Sequence, residues 1–299
     1  MTGRHGPPDR TAAPSIVVLG SLNMDLIVRS PRLPTPGETV AGSNFSTSPG
    51  GKGANQAIAA ARAGGRVAMI GAVGDDGFGP ALSDALTAAG VDGERIRRVP
   101  GPSGMALITV DDTAENTIVV VAGANAALTD LDGADRAAIV DAELLVVQLE
   151  TPLGTVTEAA LVAAAAGVPV LLNPSPVRPL PADLLAAVHI LVVNEAEAAA
   201  LDGVRPGGGH LITTRGAAGA RYRGPAGDVD ARPPAVRAVD TTGAGDAFAG
   251  ALAVAWSRGD DPASALRWAC AAGALATTRL GAAAPAAADI DRATHSRTG

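Results

Sequence analysis

Short apolar runs alternate along this chain with longer, Ala-rich segments of helical periodicity. The first run, at 16–20, is β-branched and ends in glycine, as is typical of a strand buried on both faces. Strands of this kind separated by helices indicate an α/β fold whose mostly parallel central sheet carries helices on both faces. The pattern predicts further strands at 67–73, 144–148, 169–173, 190–193 and 211–214, and helices at 53–64, 77–90, 152–166, 244–258 and 263–278.

The composition allows one large domain with a core of small aliphatic side chains. Hydrophobic residues make up 47% of the 299 residues, but aromatic residues only 2%. The formal charge of −7 and the lack of a basic stripe argue against nucleic acid as a partner. The single cysteine, Cys270, excludes an intrachain disulfide and fits a reducing cytoplasm. No apolar run reaches the ~20 residues that span a membrane, so we expect no membrane partner.

Two stretches interrupt the alternation of strands and helices. Residues 38–45 and 105–121 are rich in β-forming side chains and have no helices between their strands. The second stretch has the alternation of a hairpin around a polar turn at 111–116. Strands outside the main alternation predict a small β-sheet lid over the central sheet.

The domain organisation follows from these patterns. We expect a single domain over 15–285, with the lid built from about 36–48 and 104–122. Residues 1–14 are rich in Gly, Pro, Arg and Asp and lack the apolar centre of a signal peptide, which predicts a disordered segment. Residues 286–299 are assigned to a C-terminal tail.

The strongest local signal is the segment Asp240-Thr241-Thr242-Gly243-Ala244-Gly245-Asp246-Ala247-Phe248. Its small residues stand where a helical pattern begins, so their N–H groups lie at a helix N-terminus, which attracts anions. Such a turn suits the charge that develops on a transferred phosphoryl group. Asp246 falls in the first turn, where its carboxylate can take a proton from an attacking hydroxyl. An acidic residue that merely starts the helix explains Asp246 equally well.

A second glycine-rich turn, Gly50-Gly51-Lys52-Gly53-Ala54-Asn55-Gln56, leads into the first helix. It is not a Walker A loop, because Lys52 is followed by glycine rather than by serine or threonine. Lys52 is the only lysine of the chain, and a lysine kept between glycines suggests a specific role. The alternative is a tolerated surface lysine.

Polar side chains also follow several predicted strands. Asn23 and Asp25 follow the first strand and point the same way in an extended backbone, as a site for vicinal hydroxyls requires. Glu150, Asn194 and Glu197 follow two later strands. Because ligands of parallel sheets bind at the carboxyl ends of the strands, these residues fit a Mg²⁺ and sugar site. Ordinary turns and helix caps explain the same residues.

Together these segments resemble the ribokinase family of carbohydrate kinases. The resemblance covers about 16–281, and the two glycine-rich segments match the N-terminal and C-terminal signatures of the family. The segments at 34–40 and 122–128 add to the resemblance. It implies a Rossmann-like, ribokinase-like α/β fold and the ATP-dependent phosphorylation of D-ribose to D-ribose 5-phosphate.

The resemblance also assigns roles to residues. The sugar-binding residues would be Asn23, Asp25, Gly51, Lys52, Gly53, Asn55 and Glu150. Asp246 would be the catalytic base that takes the proton from the primary hydroxyl. The anion hole would consist of Gly243, Ala244 and Gly245.

For ATP, Mg²⁺ and a monovalent cation, usually K⁺, the resemblance implies three further sets of residues. Asn194 and Glu197 would handle Mg²⁺ and the phosphates. The nucleotide loop would be Thr214, Arg215, Gly216, Ala217, Ala218 and Gly219, with Gly245 and Cys270 also near the nucleotide. The K⁺ ligands would be Asp240 and the backbone near Thr242, Ala276, Arg279 and Gly281. The lid would pair two subunits into a homodimer.

Three features depart from the family pattern. Residues 198–210 lack a helix that the family normally has, which we expect to leave part of the sheet face uncovered and to loosen ATP binding. Pro285 stands where a hydroxyl would complete the K⁺ site, so weaker K⁺ activation is expected. Cys270 stands near the adenine, where other side chains are usual.

Other functions remain open at this point. A family kinase for another sugar or for a nucleoside is a near alternative, although the few aromatic residues disfavour a site that stacks on a base. A catalytically weak sugar-binding relic is a second alternative, but it would need neither Asp246 nor the anion hole. A nicotinamide dehydrogenase is disfavoured because the turn after the first strand lacks G-x-G-x-x-G.

Overall fold

The structure is a computed structural model that describes residues 12–113 and 115–295. Residues 1–11 of the segment predicted to be disordered, and residues 296–299 of the predicted tail, lie outside the described residues. In the described part of the chain, no helix is both long and apolar enough to cross a membrane.

The strands and helices alternate as expected. Within the described residues the strands are β1 (Ser15–Leu19), β2 (Asn23–Arg29), β3 (Asn44–Gly50), β4 (Arg66–Gly74), β5 (Asp92–Val99), β6 (Gly104–Val110), β7 (Asn116–Val121), β8 (Leu144–Val147), β9 (Val170–Leu172), β10 (Ile190–Asn194), β11 (His210–Thr214), β12 (Ala220–Gly224) and β13 (Gly227–Ala231). The helices there are α1 (Lys52–Arg62), α2 (Phe78–Ala88), α3 (Gly133–Val140), α4 (Leu153–Ala165), α5 (Ala182–Ala187), α6 (Glu195–Ala200), α7 (Ala244–Ser257), α8 (Pro262–Ala276) and α9 (Ala287–His295).

The central sheet confirms the predicted α/β fold. Its described strands number nine, in the order β13-β12-β11-β10-β9-β8-β1-β4-β5. All neighbours from β11 to β5 pair in parallel, and β12 and β13 are added antiparallel at one edge. The sequence pattern does not predict β5, β12 and β13, because their charged and half-exposed residues lack the apolar runs of the inner strands.

Side chains of β1 alternate between two cores, one on each face of the sheet. Ile16 and Val18 belong to the core that packs against α1, α7 and α8, whereas Val17 and Leu19 belong to the core under α4. Because the side chains of a strand alternate between its faces, one short apolar run stabilises both layers of helices.

The close contact between α1 and α7 depends on Gly250. A Cβ on Gly250 would lie 2.6 Å from the Cβ of Ala59 and 2.7 Å from the backbone oxygen of Gln56. Only glycine therefore allows α7 to approach α1 this closely. One turn before this contact, α7 carries Asp246, so the contact determines where the candidate base lies.

The lid is a separate four-stranded sheet in the order β3-β2-β6-β7. The predicted hairpin at 105–121 is confirmed as β6 and β7. The strand predicted at 38–45 is wrong, because β3 begins only at Asn44 and runs on to Gly50. The preceding residues, which include Pro34, Pro36 and Gly37, form turns and irregular backbone instead.

The lid also contains a strand that the sequence analysis did not identify. Asn23 and Asp25 lie in β2 and are extended, as their spacing required. Asn23 pairs with Gly50 of β3 and with Gly104 of β6. The start of β2, the end of β3 and the start of β6 therefore lie side by side.

Two segments near the C-terminal half depart from the sequence analysis. Ala198 of α6, together with Leu201 and Val204, packs against the core beside Leu211, so these residues cover the sheet face that we expected to be bare. In the segment assigned to a tail, α9 buries Ile290 in the core.

We expect Gly250→Ala to destabilise the protein by about 1–3 kcal/mol, because overpacking forces α1 and α7 apart. Gly154→Ala is the matched control, since a Cβ on this exposed glycine of α4 meets nothing within 4 Å. Thermal unfolding of both variants measures the difference. A Gly250→Ala protein as stable as the control would contradict the role of the close contact.

Candidate active site

The first glycine-rich segment packs against the turn at the carboxyl end of β1. Gly51 has a φ of 91°, which favours glycine. A Cβ on Gly53 would lie 2.5 Å from the backbone nitrogen of Ser21. These glycines therefore let the loop before α1 run directly against the turn after β1, so that the Lys52 backbone and the Asn23 side chain both reach Glu150.

Glu150 connects the turn after β1, the start of β2 and the loop before α1. Its carboxylate accepts hydrogen bonds from the Ser21 hydroxyl, from Asn23 Nδ2 at 3.4 Å and from the backbone N–H of Lys52 at 3.1 Å. Asn125 supports the same turn, because its Nδ2 donates to Asn23 Oδ1 at 2.8 Å. A polar group at this end of the sheet is thus built from β2, the α1 loop and the end of β8.

Asp246 lies in the same group and is 9% exposed. Its Oδ2 accepts a hydrogen bond from Asn55 Nδ2 at 3.1 Å, and its Oδ1 accepts one from Gln56 Nε2 at 2.9 Å. Both donors belong to α1, whereas the capping residue of α7 is Gly243, which has no side chain. The carboxylate is therefore directed across to α1, which disfavours a helix-starting role as its explanation.

The electrostatics of the site raise the pKa of two carboxyl groups. Burial raises the pKa of Asp246, although attraction to Lys52 and the hydrogen bonds from Gln56 and Asn55 oppose this. Burial, followed by repulsion from Glu150 and from Asp246, raises the pKa of Asp25 from 3.8 to about 6. Lys52 thus lies within electrostatic reach of Asp246, and this disfavours a tolerated surface lysine.

The turn that the sequence predicts to bind an anion lies at the start of α7. Gly243 caps the helix with a φ of 72°, in the left-handed region. A Cβ on Gly245 would meet nothing within 4 Å, so the space beside this backbone is open to a ligand. The N-terminus of a helix with open space before it can receive a phosphate group.

A cavity of about 530 Å³ adjoins this turn. Of the residues assigned to the nucleotide, those that line it are Thr214, Gly216, Ala217, Gly219, Gly245 and Cys270. Arg215 and Ala218 belong to the same loop but do not line the cavity, and Arg215 is ion-paired with Asp230. The size of the cavity and its mostly apolar wall fit a nucleotide base and ribose.

Asn194 and Glu197 do not line this cavity. Their side chains form a reciprocal capping box at the start of α6, with Glu197 N donating to Asn194 Oδ1 at 2.8 Å and Asn194 N donating to Glu197 Oε2 at 2.9 Å. This pair of hydrogen bonds accounts for both residues as helix caps.

The residues assigned to K⁺ lie in two segments, one before α7 and one at the end of α8, which meet where Asp240 binds Gly281. Asp240 accepts hydrogen bonds from the backbone N–H groups of Thr242 and Gly281, each at 2.9 Å. Burial raises the pKa of Asp240, but these two donors outweigh it and the pKa is lowered. The backbone carbonyl of Ala276 accepts the N–H of Arg279 at 3.4 Å. A carboxylate and backbone carbonyls are hard oxygen ligands that suit such a cation.

Comparison with known proteins identifies the family. A family model described as pfkB family carbohydrate kinase matches residues 13–289. The chain belongs to the pfkB family of carbohydrate kinases. Ribokinase of Bacillus subtilis is 40% identical to this pfkB kinase over 279 residues, which is 90% of this chain and 94% of that protein.

Solved structures agree with the assignment to pfkB kinases. Ribokinase from Thermotoga maritima matches with a TM-score of 0.85 and 31% identity, over 93% of this chain and 98% of that chain. Arabidopsis thaliana ribokinase, solved in complex with ribose and ATP, matches with a TM-score of 0.87 and 30% identity, over 95% of this chain and 99% of that chain.

Sequence reasoning missed several residues of this pfkB kinase site. Ser21, Gln56 and Asn125 are buried and make hydrogen bonds in it, but their side chains carry no charge to indicate a role. The residues predicted to surround the nucleotide were also incomplete, because the cavity wall includes much of the segment 232–238 and Phe248. The adjacent Pro233 and Pro234, shortly before Asp240, were the feature of the sequence that could have indicated this part of the wall.

We expect Asp25→Asn to stabilise this pfkB kinase at pH 7. The pKa of Asp25 is higher in the folded protein than its ordinary value of 3.8, so stability is lost as pH rises towards about 6. The substitution removes this loss, and its advantage should therefore shrink as pH falls towards 4. Thermal unfolding between pH 4 and 8, with exposed Asp84→Asn as control, measures the trend. An advantage that does not change with pH would contradict it.

Proposed function

We propose that this chain is a ribokinase, which transfers the γ-phosphoryl group of ATP to the primary hydroxyl of D-ribose. One observation carries the proposal. The buried Asp246 carboxylate lies in the first turn of α7, next to the open turn at Gly245, and within electrostatic reach of Asp25 and Glu150. A base between a phosphate-binding turn and a polyhydroxyl-binding group is what sugar phosphorylation needs.

The relatives support ribose as the acceptor. The Bacillus subtilis and Thermotoga maritima relatives are named ribokinase, and the Arabidopsis thaliana ribokinase structure contains ribose and ATP. The chain covers at least nine-tenths of each of these proteins. A nucleoside acceptor is less consistent with a polar group made almost wholly of carboxylates and amides.

In the proposed reaction, the sugar hydroxyl is held next to Asp246. The hydroxyl oxygen forms a bond to the γ-phosphorus, its proton passes to Asp246, and the bond from that phosphorus to the bridging oxygen breaks to release ADP. The raised pKa of the buried Asp246 carboxyl strengthens it as a proton acceptor. The N–H groups at the start of α7 stabilise the charge on the transferred group.

We further propose the remaining binding roles. Asn23, Asp25, Lys52, Asn55 and Glu150, with the backbone at Gly51 and Gly53, hold the sugar. ATP occupies the cavity beside Cys270 and Thr214. Mg²⁺, which would neutralise charge on the phosphates, would be handled near Asn194 and Glu197, and K⁺ would lie at the Asp240 loop. For Asn194 and Glu197 this requires their capping hydrogen bonds to be shared with water or phosphate.

We expect Asp246→Asn to lower kcat by at least about 100-fold, because asparagine keeps the shape of aspartate but cannot accept the proton. Ribose binding should persist, since the other sugar-binding residues are unchanged. A coupled ADP-release assay measures kcat, and calorimetry measures ribose binding. A variant that keeps more than about a tenth of the wild-type kcat would remove Asp246 from the role of general base.

The exposed lid supports the proposal of a homodimer. Of its apolar side chains, Phe45 is 62% exposed, Val119 is 64% exposed and Leu107 is 46% exposed. β7 is an edge strand of the described sheet, and unpaired edges with apolar side chains are normally covered. A second copy of the lid would cover both features through a symmetric contact.

Val119→Lys should therefore convert a dimer into a monomer, because it places a charge in the proposed contact. Leu161→Lys is the control, since Leu161 is an exposed apolar residue of α4, which is not part of the lid. Light scattering at micromolar concentration measures the mass of each. A monomeric wild-type protein, or a Val119→Lys protein that remains dimeric, would refute the lid interface.

A further inference from the structure

A pair of buried glutamines lies behind Asp246. Gln56 and Gln148 are both 0% exposed. Gln56 Nε2 donates to Asp246 Oδ1 at 2.9 Å, and Gln56 Oε1 accepts a hydrogen bond from Gln148 Nε2 at 2.7 Å. Neither residue is among the proposed ligands of sugar or nucleotide. Two polar side chains buried in line with the candidate base require an explanation, because unpaired polar groups are expensive to bury.

The direction of this hydrogen-bonded chain is fixed by the carboxylate. An ionised carboxylate only accepts hydrogen bonds, so Gln56 must present its Nε2 to Asp246 and its Oε1 to Gln148. Gln148 must then present its own Nε2 to Gln56. Its Oε1 is left buried without a hydrogen-bond partner in the described residues. That unpaired oxygen destabilises the fold, but the same orientation of the two amides directs an N–H group at Asp246.

The surroundings leave the two amides little freedom to turn. Gln56 Nε2 also donates to Asn173 Oδ1 at 3.2 Å, and Asn173 Nδ2 donates to the backbone oxygen of Val192 in β10 at 3.0 Å. A Cβ on Gly20 would lie 2.0 Å from Gln148 Oε1, so this amide packs directly against the backbone after β1. The chain of amides is thus anchored to the rigid central sheet.

The two oxygens of Asp246 have different surroundings. Oδ1 is held by the fully buried Gln56, whereas Oδ2 accepts from Asn55, which is only partly buried and belongs to the proposed sugar-binding residues. Oδ2 therefore faces the proposed sugar-binding residues, and Oδ1 faces the protein interior.

We propose that Gln56, oriented by Gln148 and Asn173, is a positioning residue that holds Asp246 Oδ1 so that Oδ2 receives the proton of the sugar hydroxyl. This inference rests on the proposed function for the identity of the proton donor. The arrangement of the amides themselves does not depend on which hydroxyl compound binds.

Removal of the Gln56 amide has two consequences. The carboxylate gains freedom to rotate away from the productive geometry, and misplacement of this kind lowers turnover strongly. The ionised carboxylate also loses a hydrogen-bond donor, which raises its pKa further. The charged groups that face Asp246, namely Lys52, Glu150 and Asp25, are unchanged by the substitution, so the shift can be attributed to the amide.

Gln56→Met tests the inference, because methionine keeps the length of the side chain without a donor. We expect kcat to fall by about 10- to 100-fold with little change in the KM for ribose, and the acidic limb of the kcat–pH profile to move to higher pH. Gln148→Met should act in the same direction but more weakly. In an Asp246→Asn background, Gln56→Met should change the residual turnover little, because the group it positions is no longer a base.

Tyr222→Phe is the control for simple loss of a buried hydrogen bond. Tyr222 is fully buried and its hydroxyl lies 2.9 Å from His210 Nδ1, near the end of the sheet opposite the site. The Tyr222→Phe substitution should lower the unfolding temperature without moving the kcat–pH profile. Gln56→Met and Gln148→Met variants that behave like Tyr222→Phe would overturn the inference.

A readout without turnover separates this inference from the proposed function. The carboxyl ¹³C resonance of Asp246, identified by its loss in Asp246→Asn, reports the titration of that group directly. We expect its midpoint to rise in Gln56→Met and to stay unchanged in Tyr222→Phe. A wild-type protein that does not phosphorylate ribose would refute the function, whereas an unchanged midpoint in Gln56→Met and in Gln148→Met would refute the positioning role.

Discussion

The structure depends on the close packing of α1 against α7, which brings a buried carboxylate to a set of amides. Gly250 permits the approach, and Asn55 and Gln56 of α1 then bind the two oxygens of Asp246. Without this contact, the two glycine-rich segments would remain separate turns at the edge of a common α/β sheet. With it, the open turn at the start of α7 and the group around Glu150 become two sides of one site.

The same site stores electrostatic strain. Asp25, Glu150 and Asp246 lie close enough to repel one another in a partly dry environment, and Lys52, the only lysine of the chain, acts on Asp246. Such clustering lowers the stability of the fold, but it suits a function in which hydroxyl groups and a transferred proton satisfy the carboxylates. The lid strand β2 carries Asn23 and Asp25, so movement of the lid would alter the proposed sugar site.

Particular residues explain how far the sequence could predict this structure. The inner strands were predictable because runs such as Ile16–Leu19 are apolar on both faces. The two glycine-rich segments were predictable because small residues stand at the start of a helical pattern in each. β5 was hidden by its charged residues, and the start of β3 depended on where the prolines allow a ladder to begin. Gln56 and Asn125 could not be assigned, because uncharged amides acquire a role only from partners that are 190 and 103 residues away.

We expect this site to transfer the γ-phosphoryl group of ATP to the primary hydroxyl of D-ribose. The most direct measurement is ³¹P NMR of the purified protein with ATP, Mg²⁺ and K⁺, in parallel reactions that contain D-ribose, 2-deoxy-D-ribose, D-fructose or adenosine. D-ribose 5-phosphate and ADP should appear together and in equal amounts, and ADP should form fastest in the reaction with D-ribose. Phosphorylation of adenosine in preference to the sugars, or ADP formation without any sugar phosphate, would contradict it.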